Sequence, residues 1–169
     1  DNVTAQIILR YVTESRNGGQ SDEHHEREGI GGAHYLVDIR NELTDAIGKY
    51  GFIFKNDATR SIGLMFGARQ HHLTSTYGLR RYNAEQKSLY GNAVYQMLLH
   101  GGTDDLKTGI SLQTDDYEEV YMDSSFARNE VMPGAFAEYT MKRGAFTAVA
   151  GLRADLNSWY GSAVSPRLH

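Results

Sequence analysis

The chain has 169 residues and a formal net charge of -4, and no basic block of the kind that would hold a nucleic acid. A mean hydropathy of -0.50 and the lack of a long apolar run exclude helical membrane spans. They do not exclude membrane strands, whose alternating polar residues average the hydropathy out.

Two prolines against 18 glycines and 11 tyrosines suit a β-ladder, because proline cannot donate to one and tyrosine favours membrane interfaces. The absence of cysteine fits passage through an oxidising compartment without disulfides, although many cytosolic proteins share it. Asp1 opens directly into strand-like sequence with no leader pattern, so a mature form or a fragment is expected.

Side chains on a strand point to opposite faces at period two, and that alternation recurs along the chain. Val3, Ala5, Ile7, Leu9 and Tyr11 oppose Thr4, Gln6, Ile8, Arg10 and Glu14. The stretch from Asn41 to Phe54 is less clean: Tyr50, Phe52 and Phe54 share a face with Ala46, while Leu43, Ile47 and Ile53 lie opposite. Ile62, Leu64, Phe66 and Ala68 oppose Gly63, Met65, Gly67 and Arg69, and Leu89, Ala93, Tyr95 and Met97 oppose Ser88, Tyr90, Asn92 and Gln96. Leu106, Ile110 and Leu112 then oppose Lys107, Ser111, Gln113 and Asp115. Ala135, Ala137, Tyr139 and Met141 oppose Phe136, Glu138, Thr140 and Lys142. The clearest case runs from Phe146, with Ala148, Ala150, Leu152, Ala154 and Leu156 against Thr147, Val149, Gly151, Arg153, Asp155 and Asn157.

Short polar turns are predicted at Lys55–Arg60, His100–Asp105 and Lys142–Gly144, and longer charged loops at Ser15–Ala33, Thr76–Gln86 and Tyr117–Met132. Short turns at one end and long loops at the other are the layout of an outer-membrane barrel. The pattern predicts an all-β fold: an antiparallel up-and-down meander of about eight long strands of a transmembrane β-barrel, a sector of one if the family resemblance given below holds. A soluble meander accounts poorly for strands well beyond the usual five or six residues.

Several groups of residues are candidate sites. Arg80, Arg81 and Tyr82 follow Tyr77 and Gly78 in a predicted outer loop; two guanidinium groups and a phenol suit an anionic ligand such as a ferric chelate. Pairing with Glu85 or with lipopolysaccharide phosphates is the competing assignment. Asp115, Asp116, Glu118, Glu119 and Asp123 offer hard oxygen donors for calcium, without an EF-hand pattern and with lipopolysaccharide bridged by divalent ions or plain solvation as the alternatives. His24 and His25 stand among carboxylates, a setting for a transition metal or for a solvated loop. Arg10, Arg69, Lys107, Glu138, Lys142, Arg153, Asp155 and Arg167 fall on polar faces. Facing lipid, each charge would cost about 2–4 kcal/mol at the midplane, so the lumen is their expected place, in salt bridges to wall or plug. Tyr50, Tyr95, Tyr139, Trp159 and Tyr160 suit aromatic girdles. Catalysis is not expected: no cysteine nucleophile, nucleophile elbow, phosphate-binding loop or His-Glu-x-x-His helix occurs, and the glycines at 29, 31 and 32 form no cofactor fingerprint.

The run from Tyr90 to Tyr121, followed by Phe126 to His169, resembles the barrel of TonB-dependent outer-membrane receptors of the Bacteroidetes type, nearer the siderophore and cobalamin receptors than the glycan importers. Pro133-Gly134 with Phe136, Glu138 and Tyr139 resembles the strand that resumes after a long outer loop. Ala150 to Asp155 resembles the next strand, and Ser165-Pro166-Arg167-Leu168 the one after, following a short outer turn at Ser158–Gly161. The resemblance implies import of a scarce nutrient such as a ferric siderophore, haem or cobalamin, through outer loops and a plug driven by TonB. It implies residence in the outer membrane of a Gram-negative bacterium, in contact with lipid and lipopolysaccharide. It also brings calcium into question, since cobalamin-type receptors hold that ion in outer loops, while no other cofactor is expected. Such receptors have a plug and about 22 strands. Neither a plug nor a TonB-contacting segment is visible here, and the final residues lack a terminal aromatic signal, so residues 1–169 are expected to be part of a receptor barrel. Two alternatives stand beside it: a complete eight-stranded outer-membrane barrel used in adhesion or defence, and a soluble β-meander that binds a small ligand.

Overall fold

A computed structural model describes residues 2–19 and 36–169. The alternating segments form eight strands: β1 (Val3–Gly19), β2 (Leu36–Phe54), β3 (Asp57–Tyr77), β4 (Arg80–Leu99), β5 (Asp104–Tyr121), β6 (Ser124–Arg143), β7 (Phe146–Asn157) and β8 (Gly161–Leu168). They lie in sequence order in one sheet, each antiparallel to the next. The meander is as expected. β1 and β8 do not pair with each other, so among the described residues the sheet is open rather than a closed eight-stranded barrel.

The strands outrun the sequence-based boundaries at both ends: at the short-turn end β3 starts at Asp57, β5 at Asp104 and β6 runs to Arg143, inside the turns expected at Lys55–Arg60, His100–Asp105 and Lys142–Gly144, and at the other end the departures are larger. Thr76–Gln86 and Tyr117–Met132 are not loops: β3 and β4 stay paired up to the two-residue turn at Gly78 and Leu79, and β5 and β6 up to Met122 and Asp123. Gly78 has a φ of 62°, the left-handed backbone that a tight hairpin turn requires. β1 likewise runs to Gly19, taking in the first five residues of the stretch expected to be a loop from Ser15. Polar residues on both faces erase the period-two signal there, yet the backbone ladder does not depend on that signal. β6 therefore passes through Pro133 without resuming from a loop. Val131 accepts from the Ser158 N–H and donates its own N–H to Ser158 Oγ, so the backbone of Pro133, two residues on, faces the same side, beyond the last β6–β7 pair at Gly134 and Asp155. Its missing N–H costs the sheet no ladder bond.

Register divides the sheet into two faces. One carries Ala46, Leu64, Leu89, Ile110, Ala135 and Leu152. On this face no charged residue occurs at positions 46–52 of β2, 62–68 of β3, 89–97 of β4, 106–114 of β5, 131–141 of β6 or 148–156 of β7. About nine residues at roughly 3.3 Å each, tilted by about 40°, give a band about 23 Å tall. The opposite face carries Arg10, Asp45, Arg69, Asp115 and Arg153.

Burial runs opposite to that of a water-soluble domain. No hydrophobic side chain is buried among the described residues, and Ile7, Leu9, Phe66, Ile110, Leu152 and Leu156 are all exposed. The buried side chains are polar: Asp45, Ser75, Ser111 and Asp115 on the polar face, and Asp104 at the edge of the apolar one. Two glycines make room for aromatic rings. A Cβ at Gly48 would lie 2.1 Å from the ring of Phe66 on the apolar face, and one at Gly109 would lie 2.6 Å from the ring of Phe136 on the polar face. In both cases a ring covers a cross-strand glycine, which pins the register.

Candidate binding face and its ion-pair network

The centre of the polar face is a ladder row through Arg10, Asp45 and Arg69, continuing to Ser88 and Asp115. Asp45 accepts from Arg10 through Nε (2.8 Å) and Nη2, and from Arg69 Nε at 2.6 Å. Asp115 accepts from Ser88 Oγ, from Gln113 Nε2 at 2.7 Å and from Gln86 Nε2 at 3.2 Å. A groove of about 300 Å³ lies against this row, lined by Asp45, Met65, Arg69, Ser88, Tyr90 and Asp115.

Toward β8 the same chemistry recurs. Arg153 grips Asp155 with Nε (2.8 Å) and Nη2 (2.7 Å), and Nη2 also donates to Ser111 Oγ at 3.1 Å. Gly134 permits this: a Cβ there would lie 2.2 Å from Asp155 Oδ1 and 2.9 Å from Ser111 Oγ. Arg167 donates to Glu138 at 2.8 Å, and Lys107 lies 3.2 Å from Asp105, which also accepts from Gln96. The structure thus places Arg10, Arg69, Lys107, Glu138, Lys142, Arg153, Asp155 and Arg167 on one face. Sequence reasoning missed the acceptors Asp45 and Asp105. Asp45 lies in the irregular part of β2, where Leu43 and Ile47 share its face and blur the alternation; β-ladder register with Arg10 and Arg69 was the missing signal.

Beyond the uncharged band, β3 to β6 project as paired hairpins that are polar on both sides. Arg80, Arg81 and Tyr82 lie at the start of β4, not in a loop. Neighbours on a strand face opposite ways, so Arg81 is on the apolar band's side and Arg80 and Tyr82 are on the polar side. The three do not converge on one ligand. Tyr82 donates to Glu119 Oε1 at 2.7 Å, and that carboxylate raises the phenol above its usual range, so it stays a neutral donor. Glu85 pairs with Lys87 and Gln70 rather than with these arginines.

The polar side of these hairpins gathers aromatic rings, of which the sequence pattern singles out Tyr82 but not Tyr117, Tyr121 or Phe126. Tyr82 is the ladder partner of Tyr121, Tyr77 of Arg80, Glu119 of Phe126, and Tyr117 of Arg128. The Arg128 guanidinium lies 4.5 Å from the Tyr117 ring centroid, a cation–π contact. Aromatic faces beside arginines favour planar, anionic or polyhydroxylated ligands.

The acidic residues do not assemble into a metal site. Asp115 and Glu119 face one way, Asp116 and Glu118 the other, and Asp123 sits in the β5–β6 turn. Asp115 is filled by donors, and among the described residues no group of three or more metal-ligating side chains occurs. His24 and His25 lie outside the described residues.

The aromatic residues border the uncharged band. Tyr50, Tyr95 and Tyr139 lie toward the short-turn end, where Phe52 meets Phe54 edge to face at 5.3 Å. Trp159 and Tyr160 lie at the β7–β8 turn, and Trp159 Nε1 donates to the carbonyl of Asn129 at the other border.

No family model matches the chain, and no curated protein matches it. Among solved structures it is similar to the siderophore receptor PirA from Pseudomonas aeruginosa, with 12% identity and a TM-score of 0.42, over 95% of this chain and 36% of that one. The chain therefore spans little more than a third of that receptor's length.

Proposed function

We propose that this sheet is a sector of an outer-membrane β-barrel. The observation that carries the reading is the inverted burial: an exposed, uncharged apolar band about as tall as a bilayer core, opposite a face where half-exposed arginines pair with the buried carboxylate of Asp45. In this reading the band meets lipid, the aromatic borders lie at the two interfaces, and Arg10, Asp45, Arg69, Arg153 and Asp155 face the lumen. The unpaired edges of β1 and β8 continue into further wall strands, because lipid cannot satisfy an open backbone edge.

The parent protein, on this proposal, is a TonB-dependent receptor that imports a scarce nutrient complex such as a ferric siderophore, haem or cobalamin. The sequence resemblance supports it, and so do the tall hairpins with Arg80, Tyr82, Tyr117 and Arg128 at their polar side. Arg80 and Tyr82 contact the substrate there, while Arg81 faces outward toward lipopolysaccharide. A plug and TonB are the partners, and the chain has no catalytic role.

The cysteine-free sequence makes the test direct. Single substitutions Ile110→Cys, Leu112→Cys and Leu152→Cys should place a spin label in contact with oxygen dissolved in lipid. Gln113→Cys and Arg153→Cys should place it in contact with a water-soluble relaxation agent. A reversed pattern supports the soluble meander instead. For the receptor, cells carrying the full-length protein should take up a labelled ferric chelate, haem or cobalamin, and Tyr82→Ala or Arg80→Ala should reduce that uptake. Uptake unchanged by either substitution removes these residues from the substrate path.

A further inference from the structure

One charged cluster stands on the wrong face for a barrel's interior. Asp104 opens β5 immediately after the turn at His100–Gly102, and by register it shares the apolar face with Leu106 and Tyr139. It is 1% exposed. Arg143, the last residue of β6, reaches it with Nη1 (2.5 Å) and Nη2 (3.1 Å), and Nη1 also donates to the Lys142 carbonyl. Tyr139 donates its hydroxyl to Asp104 Oδ2, and His100 Nδ1 lies 2.8 Å from the same oxygen. The Arg143 guanidinium, followed by the Tyr139 hydroxyl, holds this carboxyl far below the usual carboxylate range.

A carboxylate here serves no ladder bond, and burying it costs desolvation. What it does is fix two cationic or donor groups at the rim of the band. The side chains of Arg143 and His100 remain 50% and 66% exposed, although their inner atoms are held by Asp104. With Nδ1 donating to Asp104, the largely exposed His100 ring donates to an anion from Nε2 in its imidazolium form. His100 keeps this position through a left-handed backbone, φ 50°, that a non-glycine residue adopts only under strain. Phe146, the ladder partner of Arg143 on β7, is exposed on the same face, and Leu106 and Leu152 continue the apolar surface away from it. A pre-oriented cation at the edge of an apolar wall matches a phosphate attached to hydrocarbon chains.

We propose that Arg143 and His100, positioned by Asp104, form a docking site for the phosphate of a glycerophospholipid in the leaflet at the short-turn end, with its acyl chains along Leu106 and Leu152. The inference rests on the membrane reading of the apolar band.

The test is native mass spectrometry of the full-length protein released from micelles that contain phosphatidylglycerol or diacylglycerol of matched chains. Phosphatidylglycerol should be retained about tenfold better than diacylglycerol, the worth of one charge-assisted contact. His100→Gln and Arg143→Lys should each lower that preference and leave diacylglycerol retention unchanged; both keep a donor near Asp104, so folding is preserved. Excess inorganic phosphate should not displace the lipid. Equal retention of the two lipids, a preference unchanged in both variants, or full displacement by inorganic phosphate each overturns the site. Retention of neither lipid by a folded protein overturns the membrane reading itself, which separates the two failures.

Discussion

The two halves of the same strands obey different rules. In the half nearer the short turns, β5 places Leu106, Thr108, Ile110 and Leu112 on one face and Lys107, Ser111 and Gln113 on the other. In the projecting half, the same strand places Asp116, Glu118 and Val120 opposite Asp115, Tyr117 and Glu119. The hydrogen-bonded ladder is continuous through both. Only the polarity of one face changes, at the row of Thr44, Gln70, Lys87, Asp116 and Asn129, and on the proposed membrane reading that row marks the edge of the lipid. A β-ladder is thus indifferent to its surroundings, while side-chain patterning reports them.

The sharpest way to break that contrast is to move a charge along one face. Ile110→Arg should cost about 2–4 kcal/mol and block insertion into liposomes, measured by urea-dependent folding. Glu118→Arg, on the same face and strand but in the projecting half, should change stability by no more than about 0.5 kcal/mol. Equal effects at the two positions would place both in water.

Crowding should differ next. A Cβ at Gly109, in the band half, would lie 2.6 Å from the Ala93 carbonyl and meet Phe136, so Gly109→Ala should destabilise by about 1–3 kcal/mol. Gly18, in the projecting half of β1, has open space around its Cβ direction, and Gly18→Ala should be neutral or slightly stabilising in the same folding assay.

Removing the acceptor shared by Arg10 and Arg69 comes third. Asp45→Ala should cost about 1–2 kcal/mol, less than a fully buried pair, because both guanidinium groups remain half exposed to water. Chemical denaturation read by tryptophan fluorescence at Trp159 checks it.

The pH response should separate the two ends. The folded-state value of Asp104 is depressed, so its stabilisation is complete above the ordinary carboxylate range and is lost only as pH falls through the lower folded value. Hydrogen exchange at the His100–Thr103 turn should stay protected from neutral pH down to about pH 4. Asp104→Asn should lose that protection at neutral pH. Tyr82→Phe should have the smallest effect, below about 1 kcal/mol, since one hydrogen bond to a half-exposed Glu119 is removed. Its consequence should lie in ligand affinity instead.

Legibility followed the same division. The pattern puts Leu89, Leu112 and Leu152 on one face and Arg69, Gln113 and Arg153 on the other, because a face that is apolar along its whole height leaves a strict alternation in the sequence. The hairpins at Gly78 and Met122 were read as loops because Thr, Arg, Glu and Tyr on both faces leave no period to detect. Arg80 and Arg81 were read as a pair, and strand geometry separates them.

By itself the sequence determined the strand period, the polarity of each face and the short turns, since these depend on residues within one strand and on local backbone preference. Only the tertiary structure decided that Asp45 joins Arg10 to Arg69, that Asp104 draws together His100, Tyr139 and Arg143, and that the ladders continue past the apolar band. The reason is register: which residues meet across a sheet is fixed by pairing between strands tens of residues apart, and a single-strand pattern carries no record of its neighbour's alignment.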